Sequence, residues 1–174
     1  ELFPGAAVHT VLLGPLPLPT APDRSPIPEL VGRPFVLAIG TLERRKNLPR
    51  LVQAFGAIAS AHPELQLVLA GSDGDDHVAV REAVDALGPG VSHRVLFTGR
   101  VDEGVRSWLL HHAAVLAYPS LDEGFGFPLL DAMQAGAPVV ASTAGSIPEV
   151  AGAAALLSDP HDVDALAANL AADA

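Results

Sequence analysis

The sequence predicts an α/β fold, a parallel sheet of about six strands with helices on both faces, running from Phe35 to the end of the chain. Two observations carry this. Short runs of β-branched and apolar residues alternate with stretches of helical periodicity, the pattern of strands buried on both sides and joined by crossover helices. Glycines and polar clusters follow the carboxyl ends of those runs, where an open parallel sheet gathers its binding loops.

The first strand is Phe35 to Ile39. Leu48, Leu51, Val52, Phe55, Ile58 and Ala59 then recur at i, i+3, i+4 spacing and predict an amphipathic helix with Asn47 as its N-cap. After a second strand, Gln66 to Ala70, the residues Val80, Ala83, Val84 and Leu87 repeat that spacing, and Gly88 closes the helix. Beyond the third strand, Val95 to Thr98, Asp102 caps a helix whose inward face reads Val105, Trp108, Leu109 and His112. Val115 to Tyr118 is the fourth strand. In the helix that follows it, Pro128 fits the first position and Gly136 the left-handed residue at the end. Val139 to Ala141 and Ala155 to Leu157 complete the sheet, and Asp159-Pro160 opens the last helix. Ahead of all this, Val8 to Leu13 reads as a short strand. Between Pro15 and Pro34 lie seven of the 16 prolines, which remove backbone donors and predict a linker rather than core.

A chain of 174 residues suffices for one domain burying roughly 70% of its unfolded surface, and is too short for two Rossmann-like domains. It starts without methionine and stops in a helical pattern, so the expectation is a piece of a longer protein. The absence of cysteine excludes disulfides and thiolate metal sites and is compatible with a reducing compartment. The apolar runs fall far below the ~18 residues of a membrane span, so a cytoplasmic piece is expected, with no direct membrane contact of its own; the absent part remains free to touch a membrane. A formal charge of −10 argues against nucleic acid, which demands a basic face. It does not argue against a single diphosphate, because screening over ~8 Å leaves a local cation pocket little affected by distant acids.

The stretch Glu123-Gly124-Phe125-Gly126-Phe127-Pro128-Leu129-Leu130-Asp131 sets two carboxylates on either side of a glycine-rich turn that opens a helix. The unpaired N–H groups of such a first turn, uncovered at Gly124 and Gly126, suit a phosphate. Glu123 and Asp131 cannot bind that anion. The helix dipole favours their ionised forms, and they read as acceptors for sugar hydroxyls. Arg44, Arg45 and Lys46 are the only run of three cations. By itself such a run is commonly a solvated helix entry, but it follows a strand and so falls on the same sheet edge as the anion site. The two acids could also serve a glycoside hydrolase. Against that, cations and N–H donors suit a leaving group that is already anionic, whereas a hydrolase needs a protonated acid. Asp73-Gly74-Asp75-Asp76 lacks the further ligands of a calcium loop and reads as a solvated turn. His111 and His112 point about 100° apart on a helix and make no metal pair. Phe125 and Phe127 read as wall, Trp108 as core.

These motifs resemble the donor-binding half of retaining glycosyltransferases with the GT-B fold, particularly family 4. The resemblance rests on Tyr118 to Met133 followed by Gly136-Ala137-Pro138-Val139-Val140-Ala141-Ser142. It takes in also Gly40-Thr41-Leu42-Glu43-Arg44-Arg45-Lys46-Asn47-Leu48, Phe97-Thr98-Gly99-Arg100-Val101 and Gly145-Ser146-Ile147-Pro148-Glu149-Val150. Four motifs in the family's order make it specific. The family reads Glu, seven residues, Glu; here the second acid is Asp131, one methylene shorter. What the resemblance implies is a C-terminal, Rossmann-like domain over residues 35–174, preceded by an interdomain segment and Pro-rich linker over 1–34, with an N-terminal acceptor domain missing. It implies a GDP- or UDP-linked hexose donor, mannose slightly favoured, and retention without a metal or other cofactor. Arg45 and Lys46 would then face the diphosphate and Glu123 a hydroxyl of the donor sugar. Gly124, Phe125, Gly126 and Phe127 would meet sugar and phosphate through their amides. Asp131 would hold the ribose, and Gly40, Thr41, Arg100 and Val101 the rest of the nucleotide. The acceptor, a glycan or lipid, would belong to the other domain, and this piece alone would bind nucleotide weakly and transfer nothing. A nucleotide-sugar epimerase, a phosphorylase and a non-catalytic nucleotide-binding module remain alternatives. Ser146 with Glu149 has capping-box spacing, so Glu149 reads equally as structural or as part of the family motif.

Overall fold

The computed structural model describes residues 14–15 and 17–173. The strand expected over Val8 to Leu13 lies outside them. Six parallel strands form one sheet: β1 (Phe35–Ile39), β2 (Gln66–Ala70), β3 (Val95–Phe97), β4 (Val115–Tyr118), β5 (Val139–Ser142) and β6 (Leu156–Ser158). Their order across the sheet is β3-β2-β1-β4-β5-β6. The chain winds outward from β1 through β2 to β3, then returns to the other side of β1 for β4. The reversal leaves a crevice between the carboxyl ends of β1 and β4, where Leu37 registers with Leu116.

Alternate residues of each strand feed opposite cores. Val36, Ala38, Leu67, Leu69, Val115 and Ala117 pack under α1 (Leu48–Ile58), α2 (His77–Ala86) and α7 (Val163–Asp173). Phe35, Leu37, Val68, Ala70, Leu116 and Tyr118 pack under α4 (Glu103–His112), α5 (Phe127–Ala135) and α6 (Ile147–Ala151). Complete burial of each large side chain, as for Phe55, Leu51 and Leu109, stabilises by roughly 1.5–3 kcal/mol, and having both faces covered explains why the strands read as unbroken apolar runs. A single-turn helix, α3 (Pro89–Ser92), leads into β3.

Several boundaries differ from expectation for local reasons. Asn47 precedes α1 but does not cap it; its backbone is left-handed (φ 57°) and its side chain is spent elsewhere. Phe127, not Pro128, is the first residue of α5, so the proline sits one place further in, while Gly136 ends the helix in the left-handed conformation. The last helix begins at Val163, with Asp162 Oδ1 accepting from the Ala165 amide; Asp159 instead accepts from the His161 amide in the preceding turn. In α4 Asp102 caps as expected, through the Val105 amide at 2.8 Å. The buried stripe there is Ser107, Trp108, Leu109 and Leu110, and His112 lies outside it with its ring stacked on Trp108 at 4.3 Å. The proline-rich segment is tied down too: Ser107 Oγ donates to the Pro19 carbonyl at 2.5 Å, and Leu18, Ala21 and Ile27 pack against the core on that face. No helix among the described residues is long and apolar enough to cross a membrane.

Candidate functional site

The crevice is built from the loops after β1 and β4. After β1 the chain makes a 3-10 turn over Arg44–Lys46, closed by the left-handed Asn47, a conformation asparagine tolerates better than most residues. Asn47 Nδ2 donates to the carbonyls of Pro119 (3.0 Å) and Pro160 (2.7 Å), so one amide fastens this turn to the loops after β4 and β6. The Leu121 amide adds a 2.7 Å bond to the Arg45 carbonyl. The turn is held by backbone on both sides, which frees its cationic side chains to point along the crevice.

After β4, Pro119 and Ser120 carry the chain to Glu123. Glu123 Oε1 accepts from Lys46 Nζ at 2.6 Å, Arg45 NH1 at 2.6 Å and Ser120 Oγ at 3.1 Å. Lys46 is only 7% exposed; its Nζ also donates to the Tyr118 hydroxyl at 2.8 Å and sits 4.3 Å from the centre of that ring. Arg45 reaches the same carboxylate from a half-exposed position and is held from the far side by Glu43 at 2.8 Å. The Glu123 backbone is fixed separately: its carbonyl accepts from the amide and hydroxyl of Ser146, and Gly145 packs so closely that a Cβ there would stand 2.6 Å from that carbonyl oxygen. With φ at +55°, Gly145 admits no other residue without strain. The Ser146–Glu149 capping box, one of the two readings of that spacing, does not form: Ser146 is engaged with Glu123 and Glu149 is exposed.

Gly126 follows in the left-handed region (φ 94°) beside the Tyr118 ring, 3.8 Å from where its Cβ would be, so Lys46 and Gly126 flank the same tyrosine. The amides of Gly124, Phe125, Gly126 and Phe127 donate no hydrogen bond to any described residue. Phe125 and Phe127 pack together at 4.7 Å, with Phe127 exposed at the rim. Four amides without a partner among the described residues thus precede or open a nine-residue helix, on the turn whose Glu123 is bonded to Arg45 and Lys46.

The electrostatics follow from the contacts. Burial alone would raise the Glu123 carboxyl, but the hydrogen bonds from Lys46 and Tyr118 and the charges of Lys46 and Arg45 outweigh it and hold it below the usual glutamate range. These partners hold it ionised. Burial draws the Lys46 ammonium below its ordinary value, against the pull of Glu123. Burial and the Glu123 hydrogen bond push the Tyr118 phenol far up, so it stays neutral.

Beside the crevice, at the carboxyl ends of β1 and β2, lies a cavity of about 290 Å³. Gly40, Thr41, Arg100 and Val101 line it, which gathers in one place four residues named from two separate stretches of sequence. Gly40 also backs onto Lys46, 3.4 Å from its Cε to where a Cβ would stand, so the cavity and the cation turn share a wall. Arg106 of α4 lines it as well and forms an ion pair with Asp131. Asp131 is thus set apart from the Glu123 cluster, 7% exposed on α5 with one oxygen taken by arginine. Sequence reasoning missed Tyr118, Ser120 and Arg106. The first reads as an ordinary strand residue, the second as a loop serine, and Arg106 pairs across 25 positions with no local signal.

The remaining motifs serve local structure. Asp75 accepts from the Arg44 amide at 3.0 Å and Asp73 pairs with Arg81 at 3.6 Å. His111 and His112 each bond through Nδ1 to the carbonyl four residues back.

Known proteins bear on this geometry. The family model for glycosyl transferases group 1 matches residues 33–172. O-antigen chain mannosyltransferase B of Escherichia coli is 36% identical over 144 residues, covering 82% of this chain and 37% of that protein. Sucrose-phosphate synthase from Thermosynechococcus elongatus has a TM-score of 0.69 and 32% identity, over 84% of this chain and 37% of that one. Anabaena HepE in complex with UDP has a TM-score of 0.72 and 25% identity, over 82% and 39%. The chain spans somewhat more than a third of the length of each. Since the matched residues take in all six strands and every loop of the crevice, this chain belongs to the group 1 glycosyl transferases and has the fold of one half of a GT-B enzyme.

Proposed function

We propose that this chain is the donor-binding domain of a retaining, family 4 glycosyltransferase that transfers a hexose from a GDP- or UDP-linked donor. One observation carries the reading: Arg45 and Lys46 meet the Glu123 to Phe127 turn across the β1–β4 crevice. Glycosyl transfer breaks the bond between the sugar C1 and a phosphate oxygen, so negative charge grows on the departing diphosphate. Fixed cations and aimed N–H groups stabilise that charge most where it is largest, in the transition state. Arg45, Lys46 and the amides of Gly124, Phe125, Gly126 and Phe127 take this role, and no metal is needed for it. Glu123 accepts from a donor-sugar hydroxyl and orients the sugar, Asp131 accepts from the ribose, and the cavity lined by Gly40, Thr41, Arg100 and Val101 takes the nucleoside.

Mannose is favoured as the sugar, a choice supported by the likeness to the Escherichia coli mannosyltransferase, while the UDP complex of the Anabaena relative keeps uridine in play. Residues 1–34 lead in from a second domain that holds the acceptor, a glycan or lipid, and supplies most of the base machinery. The full-length protein works in the cytoplasm and reaches any membrane through that other domain.

The test pairs two measurements. A thermal-shift panel of GDP-, UDP-, ADP- and dTDP-sugars on this chain is expected to raise the melting temperature with a GDP- or UDP-sugar, since binding to the folded state alone stabilises it. Product from the full-length enzyme is expected to keep the anomeric configuration of the donor. Inverted product would overturn retention, and measurable transfer by this chain alone would overturn the division of labour between domains.

A further inference from the structure

Arg106 lies on α4, outside all four motifs that point to the nucleotide, yet its guanidinium borders the 290 Å³ cavity beside Arg100 and Val101. Its NH2 donates to Asp131 Oδ2, and its NH1 reaches back 3.4 Å to Glu103 one turn earlier on the same helix. Asp131 Oδ1 receives no hydrogen bond from any described residue and is not sealed from solvent. One carboxylate oxygen is thus closed by arginine while the other stays available. A carboxylate held through one oxygen by a guanidinium that is itself tied to a second acid loses rotational freedom about its last bonds, and aspartate has one bond fewer to fix than glutamate.

We infer that Arg106 is a positioning residue for the nucleotide: it clamps Oδ2 so that Oδ1 of Asp131 is preset to accept a ribose hydroxyl, and the Arg106–Asp131 pair thereby discriminates ribose from deoxyribose. The inference rests on the reading of Asp131 as the ribose acceptor. Pinning offsets the shorter reach of aspartate, because an acceptor already held in place spends no ordering entropy when the hydroxyl arrives. Pairing with arginine also cancels a negative charge that would otherwise repel a diphosphate on the same rim. A site that hydrogen-bonds a substrate hydroxyl rejects the analogue lacking it, because the acceptor is then left without a partner.

Calorimetric titration of the intact protein with GDP and UDP, each also as its 2′-deoxy and 3′-deoxy form, tests this. Wild type is expected to prefer the ribonucleotide to at least one deoxy form by about tenfold or more, the worth of one hydrogen bond to a charged group. In Arg106→Leu both forms are expected to weaken, because the Asp131 charge is uncovered, and the preference for the ribonucleotide is expected to fall by at least half. Arg106→Lys, which keeps the charge but not the fork, covers the case in which the leucine variant fails to fold, and is expected to lose at least half the preference with an unchanged melting temperature. A preference equal to wild type in every folded variant would sink the inference, as would equal weakening of ribo and deoxy forms, which would make Arg106 a plain phosphate cation. Wild type that binds ribonucleotides well but without preference would likewise overturn it, leaving the donor-binding reading intact; wild type that binds no nucleoside diphosphate would remove both.

Discussion

Among the described residues two basic side chains, one lysine and one arginine, are buried, at opposite ends of the sheet. Arg94, 6% exposed just before β3, donates to three backbone carbonyls at or beyond the end of α1: Ala59 at 2.9 Å, His62 at 2.8 Å and Pro63 at 2.9 Å. Its guanidinium also lies 5.4 Å from the Phe55 ring centre. Lys46, equally buried at the carboxyl end of β1, meets a carboxylate and a phenol instead. Carbonyls at the end of a helix are permanent partners that complete the backbone bonding of the fold. A carboxylate at the mouth of a crevice is a partner that an incoming anion can replace. Burial by itself therefore does not mark a functional cation; the nature of what satisfies it does.

Substitutions can break that contrast. Lys46→Ala is expected to raise the barrier to transfer by roughly 2 to 4 kcal/mol, as for one lost preorganised donor, with modest destabilisation. Steady-state turnover of the full-length enzyme measures it, and wild-type turnover would remove Lys46 from the chemistry. Arg94→Met should do the reverse, costing about 2 to 3 kcal/mol in urea unfolding because carbonyls lose their donors, with turnover per folded molecule unchanged. If both variants unfold alike, the distinction between the two ends fails.

The next comparison is within the rim. On the proposed roles, with Asp131 at the ribose and Glu123 at the sugar, Asp131→Ala is expected to weaken free nucleotide binding about tenfold and Glu123→Ala to leave it nearly unchanged. Calorimetry giving the opposite order would exchange their roles. Smallest is the pH effect. Glu123 has a lowered carboxyl pKa in the folded chain, so its contribution to stability is complete above the ordinary glutamate value and is lost as pH falls through the lowered one. Wild type should accordingly lose stability more steeply in acid than Glu123→Gln, and identical acid limbs would contradict the Lys46–Glu123–Arg45 account.

Much of this arrangement was legible beforehand. Five of the six strands match their expected bounds at one end or both, following apolar runs flanked by glycine, proline or a charge, as in Phe35–Ile39 before Gly40 and Val115–Tyr118 before Pro119. The edge strand β6 starts a residue later than expected because Ala155 to Ser158 offers no such punctuation. The meeting of Lys46 with Glu123 was foreseeable from the rule that parallel sheets gather loops at their carboxyl ends. Its hub was not: nothing in the order of residues says that Tyr118 would lie under Lys46, or that Arg106 would reach Asp131 from another helix. Helix starts slipped where two capping residues competed, as Asp159 and Asp162 did, and where Asn47 found better use for its amide in binding two distant carbonyls.

Glu123 is anchored by its main chain to the segment after β5 and by its side chain to the turn after β1. The two attachments are independent of each other. Exchange of the side chain's partners can re-aim Arg45 and Lys46 while the peptide plane of Glu123 stays docked on Ser146, so under the proposed role the site would be retuned toward a different sugar with its backbone mounting unchanged.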